Sequence, residues 1–273
     1  MVRRREAPPA VRYWHLLSFD APTVAVVWSL AFAWIAHVRL PLWLITLQAL
    51  VVWAVYVGDR LLDARSGLRK SDGEDLRERH FFHWRHRSTL APLAGVAACA
   101  SAVMVLCWMP PVAKERSSLL GVASLAYFAR VHVKRVHEWL ARIFSKELLV
   151  GVLFTAGCAL PVWSRAVAVP VMFFAALAWL NCWAIECWET EPGKCRVARV
   201  AGGLSAAGCA VAGCMIAFEP RVAGLLLAAG ASAALLAALD MGRGRMTAVA
   251  VRALADLVLL TPAAVIAVAR MAR

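Results

Sequence analysis

Charge is the first thing this chain lacks. Asp, Glu, Lys and Arg make up 17% of its 273 residues, against roughly 25% in a soluble domain. Hydrophobic residues make up 62%, and mean hydropathy is +0.68. The shortage excludes an ordinary soluble globular class and predicts an integral membrane protein whose residues 1–273 form one membrane domain. Acids are scarcer still, 17 against 30 Lys and Arg, for a formal net charge of +13. A long basic tail and RNA-type motifs are both missing. The excess therefore reads as topology and as attraction to anionic lipid or substrate, with no nucleic-acid partner expected. CxxC pairs are absent too. The eight cysteines (Cys99, Cys107, Cys158, Cys182, Cys187, Cys195, Cys209 and Cys214) lie almost entirely within apolar runs. That excludes a zinc ribbon and argues for small buried hydrophobes in place of a disulfide framework. No small-residue cleavage site follows the basic opening, and the first long apolar run starts only near Thr23, so a signal peptide is not expected.

What the chain has in abundance is apolar runs long enough to span. A spanning helix needs about 20 mostly apolar residues. Nine candidates are readable, at about 22–38, 41–62, 89–109, 116–131, 146–163, 167–187, 197–218, 221–240 and 247–270. The expected fold is an all-α polytopic transmembrane bundle of about nine helices. Pro110-Pro111, Pro170, Pro192-Gly193 and Pro220 punctuate the runs where loops or helix starts belong. Lys and Arg then set orientation. With the N-terminus cytoplasmic, 23 of the 30 fall on the cytoplasmic side, leaving Arg39, Lys114, Arg116, Arg165, Arg221, Arg270 and Arg273 opposite. That asymmetry satisfies the positive-inside rule, and a bacterial-type cell membrane with a cytoplasmic active side is the expected setting. Ala- and Gly-rich stretches such as Val200–Gly208 and Gly224–Ala238 predict close helix packing in lipid.

Polar residues cluster at few places. The second run closes on Asp59-Arg-Leu-Leu-Asp63-Ala-Arg65. A spacing of four puts Asp59 and Asp63 on one helix face, one turn apart. The sixth run closes on Asn181, Glu186 and Glu189; the two glutamates share a face, and Asn181 lies within about 80° of Glu189 at 100° per residue. Two acidic clusters at equivalent helix ends suit oxygen-ligand chemistry, and Mg²⁺ prefers such ligands, bridging carboxylates to a substrate phosphate. The competing reading is two unrelated interfacial helix ends paired with nearby Arg. Between the fourth and fifth runs, Arg130, Lys134, Arg135 and Lys146 form either a phosphate clamp or a topogenic basic loop. His80, His83 and His86 recur every three residues among Arg and aromatics, which suits an amphipathic interfacial helix, a transition-metal site or a substrate contact. Arg252 and Asp256 place opposite charges one turn apart in the last run, as a functional or a structural pair.

These motifs, on that topology, resemble the UbiA family of membrane prenyltransferases. Leu16-Leu-Ser-Phe-Asp20-Ala-Pro22 looks like the family's opening before helix 1. Asp59-Arg-Leu-Leu-Asp63 looks like the last two acids of its Asn-Asp-x-x-Asp-x-x-x-Asp motif, whose first two positions fall here on Val55 and Tyr56. Arg130-Val-His-Val-Lys134-Arg135 looks like its Tyr-Pro-x-x-Lys-Arg element, and Asn181–Glu189 sits where its second acidic motif belongs. The resemblance implies Mg²⁺-dependent transfer of a prenyl group from a prenyl diphosphate to an aromatic or other lipophilic acceptor. By the same resemblance Asp59, Asp63, Glu186 and Glu189 would hold metal. Lys134 and Arg135 would contact the diphosphate, with Arg60, Arg130, Lys146 and Asn181 binding substrate. Trp53, Phe173, Phe174 and Trp179 are candidates for lining a prenyl tail, or simply for helix packing. Two other classes stay open: a non-catalytic polyprenyl-lipid-binding membrane protein, and a His-ligated membrane metalloenzyme.

Overall fold

A computed structural model describes residues 5–70, 78–132, 145–190 and 195–271. In chain order its helices are α1 (Pro9–Leu16), α2 (Asp20–Ile35), α3 (Leu42–Lys70), α4 (Glu78–Arg85), α5 (Arg87–Trp108), α6 (Pro111–His132), α7 (Lys146–Ala159), α8 (Ala168–Thr190), α9 (Val197–Met215), α10 (Pro220–Gly242), α11 (Ala248–Leu257) and α12 (Thr261–Met271). Several starts follow from local chemistry. Pro9, Pro111 and Pro220 open α1, α6 and α10, where a fixed φ helps and the missing N–H costs nothing. Ser145 caps α7 by accepting the Leu148 N–H at 3.2 Å.

Among the described residues the all-α expectation holds, and six helical segments there are long and apolar enough to cross a membrane: Leu42–Leu68, Arg87–Trp108, Arg165–Thr190, Val197–Met215, Pro220–Arg245 and Ala248–Met271. A seventh arises if α1 and α2, bent by 91°, count as one broken span. Three of the nine expected runs form helix of a different character. The run at 22–38 is α2, with 16 residues, about 24 Å at 1.5 Å per residue and short of a ~30 Å hydrocarbon core. The run at 146–163 ends as a helix after the 14 residues of α7 and continues as a 3₁₀ turn. The run at 116–131 is α6, which begins earlier than expected and takes Lys114, Glu115 and Arg116 into its first two turns.

Two compact units are distinguishable. The first comprises Met1–Val26, Leu40–Met109 and Arg243–Leu257. In it α3 packs on α4 and α5, and α1 packs on α4 and α11. The second comprises Val27–Arg39, Pro110–Gly242 and Val258–Arg273. Its centre is aromatic: Trp28 stacks on Phe174 with centroids 3.9 Å apart, and Phe32 meets Phe174 edge-on at 5.9 Å. The 3₁₀ turn Val258–Leu260 interrupts the last span there, and side chains take up the carbonyls it releases. Trp28 Nε1 donates to the Leu259 carbonyl at 3.0 Å and Ser232 Oγ to the Val258 carbonyl at 2.7 Å. Backbone groups at a break inside lipid have no water to turn to, so such partners are obligatory.

Small residues do bring helices together, as their density predicted. A Cβ on Gly208 would stand 3.2 Å from the Leu226 carbonyl oxygen across α9 and α10, and one on Gly230 would stand 3.3 Å from the Ser205 carbonyl oxygen. The tightest approach lies between α7 and α8, where a Cβ on Gly151 would come within 2.7 Å of the Trp179 backbone nitrogen. Backbone cannot yield as a flexible side chain can. Gly151→Ala is expected to push the two helices apart and cost about 1–3 kcal/mol, read as a lower thermal midpoint in detergent, while Gly202→Ala, with open space around it, leaves the midpoint near wild type.

One sequence reading is corrected. Cys187 and Cys195 form a disulfide between the last turns of α8 and the start of α9. A separation of eight residues across a helix end carried no CxxC signal, so the pair was not readable as such.

Candidate functional site

The break between α1 and α2 organises the polar interior of the first unit. Ser18 sits in it with a left-handed φ of 62°, a conformation rare outside Gly and Asn. Around the break, α3 delivers three side chains. Trp53 Nε1 donates to the Leu17 carbonyl at 2.9 Å, and its ring stacks on Phe19 at 6.2 Å. Two turns on, Arg60 donates to the His15 carbonyl at 2.7 Å and to Asp20 Oδ2 at 3.0 Å. Tyr56, one turn before Arg60, offers its ring to the guanidinium at 5.9 Å.

Asp20 opens α2 and is fully buried. Its Oδ1 accepts from the Ala21 N–H at 2.9 Å, and its Oδ2 meets both Arg60 and His15 Nδ1, the latter at 2.7 Å. Asp256 of α11 approaches the same imidazole nitrogen to 3.7 Å. The ring nitrogen and the two carboxylates offer donor atoms all within 4.8 Å of one another, a convergence that demands positive charge, and Arg60 supplies it. A charged arginine is tolerated in such an interior only because it is paired.

The histidine-rich segment joins this framework as a brace. His83 is completely enclosed. Its Nδ1–H donates to the Arg79 carbonyl at 2.8 Å, and Ser18 Oγ donates to its Nε2 at 3.0 Å. With both nitrogens so used the ring is neutral. Burial, reinforced by the charge of Arg60, pushes its pKa down to about 4. His80 accepts from Arg79 Nε at 2.8 Å, and His86 Nδ1–H donates to the Phe82 carbonyl at 2.8 Å. Thus α4 ties the α1–α2 break to α3, and His80, His83 and His86 do not gather into a three-histidine metal site; among the described residues the one convergent trio is His15, Asp20 and Asp256. The sign of the pH effect follows. The unfolded chain binds the His83 proton first as pH falls, so the brace stabilises fully above about pH 6.5 and its contribution is lost between pH 6.5 and 4. In unfolding experiments across that window, His83→Gln is expected to flatten the decline in stability relative to wild type.

Asp59 and Asp63 lie on α3 on either side of Arg60 and are half-buried. Arg60, expected to bind diphosphate, is instead 6% exposed and committed to Asp20 and the His15 carbonyl. Both terminal nitrogens of its guanidinium are engaged within the first unit, one by the His15 carbonyl and one by Asp20. Trp53 and Phe174 likewise serve packing: one is pinned to the Leu17 carbonyl, and the other is sealed against Trp28.

The second acidic cluster belongs to the second unit. On α8, Asn181 is buried, Glu189 half-buried and Glu186 exposed. Trp188, between the glutamates, donates through Nε1 to Asp240 Oδ1 of α10 at 2.7 Å, while Asp240 Oδ2 accepts the Ala198 N–H at the start of α9 at 3.0 Å. Asp240 therefore caps α9 from a neighbouring helix and fixes the acidic end of α8. Lys146 is exposed at the first position of α7. Lys134 and Arg135 lie outside the described residues, as does the side chain of Arg130.

Sequence reasoning missed His15 and Asp240, and saw Asp20 only as part of an opening motif. The available signal was simple: each is an ionisable residue inside or beside an apolar run, where burial without a partner is too costly to persist. No protein-family model, no curated protein and no solved structure matches the chain.

Proposed function

We propose that this chain is an intramembrane prenyltransferase that moves a prenyl group from a prenyl diphosphate to an aromatic or other lipophilic acceptor in a Mg²⁺-dependent reaction. The observation that carries the reading is the pair Asp59 and Asp63, one turn apart and half-buried near the polar end of the apolar span Leu42–Leu68. Glu186 and Glu189 on α8 add a second pair of carboxylates one turn apart, the first exposed and the second half-buried. All four offer hard carboxylate oxygens, the donor set that suits Mg²⁺. They would hold the ion, which when bound supplies positive charge beside the diphosphate as negative charge develops there. Lys134, Arg135 and Arg130 would contact diphosphate oxygens, with Lys146 and Asn181 as further substrate contacts. As the allylic C–O bond ionises, these cations hold the departing diphosphate. The allylic cation then alkylates the acceptor, which gives up a proton. Apolar side chains along the prenyl tail would keep water from capturing the cation.

The proposal includes nine spans, a cytoplasmic N-terminus and a cytoplasmic active side in a bacterial-type cell membrane. That orientation puts the Cys187–Cys195 bridge in a reducing compartment, where disulfides rarely persist. Both thiols are then expected to be alkylated when intact cells are quenched with a permeant maleimide. A bridge already closed in cells contradicts the orientation.

The test of function is diphosphate release by purified protein supplied with Mg²⁺ and a panel of prenyl diphosphates. Release is expected in wild type and not in Asp59→Asn/Asp63→Asn. Release that survives both substitutions removes the site. A second reading, a non-catalytic polyprenyl-lipid-binding protein, is favoured by Val55 and Tyr56 standing where the family motif has polar ligands; it predicts binding without release.

A further inference from the structure

The first unit encloses an ionisable group that the proposed reaction does not use. His15 is 2% exposed. Its Nδ1 lies 2.7 Å from Asp20 Oδ2 and 3.7 Å from Asp256 Oδ2, so Nδ1 carries a hydrogen. Its Nε2 is fully enclosed and meets no hydrogen-bonding group among the described residues. An imidazole held this way presents one basic lone pair in a dry setting.

The charges around the ring decide what this lone pair takes up. Asp20 faces it from the start of α2, Asp256 from α11 and Arg60 from α3. On α11, Arg252 is buried one turn before Asp256. From α4, packed against α1, Glu78 pairs with Arg12 of α1, Arg79 donates to His80, and His83 is held neutral by Ser18 and the Arg79 carbonyl. Two carboxylates thus stand against the guanidinium of Arg60 at the ring itself. A divalent cation would compete with Arg60 for Asp20 Oδ2 and add two charges beside a guanidinium it cannot expel. A proton on Nε2 adds one charge, shared over a ring whose Nδ1–H already faces two carboxylates. Against their attraction stands the cost of a buried Nε2–H with no acceptor among the described residues. These two opposing effects suit a site that exchanges its proton.

We propose that His15 is a buried proton-binding site of the membrane domain, oriented by Asp20 and tuned by Asp256 and Arg60. Its place gives it consequence. It closes α1 at the 91° break into α2, and Asp256 lies at the C-terminal end of α11 where the last span turns into a 3₁₀ segment. Broken helices are where membrane proteins locate intramembrane ion sites.

Nuclear magnetic resonance on the full chain in nanodiscs, with ¹⁵N-labelled histidine, tests this directly. The His15 signal is assigned by its loss in His15→Gln. At high pH it is expected as the Nδ1–H tautomer with a bare Nε2, and it gains a proton as pH is lowered through the titration. In Asp256→Asn the midpoint is expected to fall by about one pH unit, a tenfold weaker proton affinity, because the more exposed of its two carboxylates is gone. If Asp256→Asn does not fold, the wild-type tautomer and titration still decide. An Nε2–H tautomer, a His15 signal unchanged across the whole range, or a midpoint identical in Asp256→Asn overturns the proposal. So does stoichiometric Zn²⁺ or Co²⁺ that is lost in His15→Gln, which would make the trio a cation site.

Discussion

Arg60→Ala is expected to destabilise the protein by about 3–5 kcal/mol, the scale set by stranding a buried charge. Asp20 is wholly enclosed, and the guanidinium of Arg60 lies 3.0 Å from the Oδ2 that also meets His15. Removing the guanidinium leaves a carboxylate with no water to solvate it and strips the His15 carbonyl of its 2.7 Å donor. Removing both charges together is a different matter. The double variant Arg60→Leu/Asp20→Leu replaces an ion pair by apolar volume, which is often close to neutral. Thermal unfolding of the two single variants and the double variant in one detergent gives the coupling between them. A double variant as unstable as the sum of the singles would mean that the pair is not an isolated electrostatic unit. Arg60→Lys should recover only part of the loss, since one ammonium cannot reach both Asp20 and the carbonyl as the forked guanidinium does.

The second large effect concerns the acids. Replacing Asp59 and Asp63 by Asn, or Glu186 and Glu189 by Gln, is expected to lower the rate of Mg²⁺-dependent diphosphate release by about 10²–10³-fold each, the range for losing one element of electrostatic stabilisation at a reacting centre. The informative variant carries all four substitutions. If the two clusters act on one Mg²⁺–diphosphate unit, each loss disables the same step, and the fourfold variant is hardly slower than either pair, as for catalytic groups that act as a unit. Multiplicative losses would mean that the clusters act independently. Stability should move little, because none of the four residues is fully buried, and that separates this effect from the Arg60 one.

The structure also explains which parts of the molecule were readable from sequence. Apolar runs and prolines announce helices, and Pro111 and Pro220 begin α6 and α10 as expected. What hydropathy counts cannot supply is the interruption of a run. Val258–Leu260 reads as uninterrupted span, yet it turns 3₁₀ because Trp28 and Ser232 take its carbonyls from residues 231 and 26 positions away in sequence. The acids were legible by spacing, but their neighbours' duties were not. Arg60 looks like a ligand contact because it stands between Asp59 and Asp63. Its partners, His15 and Asp20, lie 45 and 40 residues earlier, and only the 91° break after α1 brings them within reach. The histidine triplet was legible as a pattern and not as a brace, because the hydroxyl that satisfies His83 belongs to Ser18, 65 residues away.

The most direct measurement of the central claim is equilibrium binding of a non-ionisable prenyl thiolodiphosphate to the purified protein in nanodiscs, by calorimetry with Mg²⁺ and with chelator. The expected result is saturable binding with Mg²⁺, abolished by chelator and by Asp59→Asn/Asp63→Asn. Binding that is equally strong with chelator, or no binding under either condition, would contradict it.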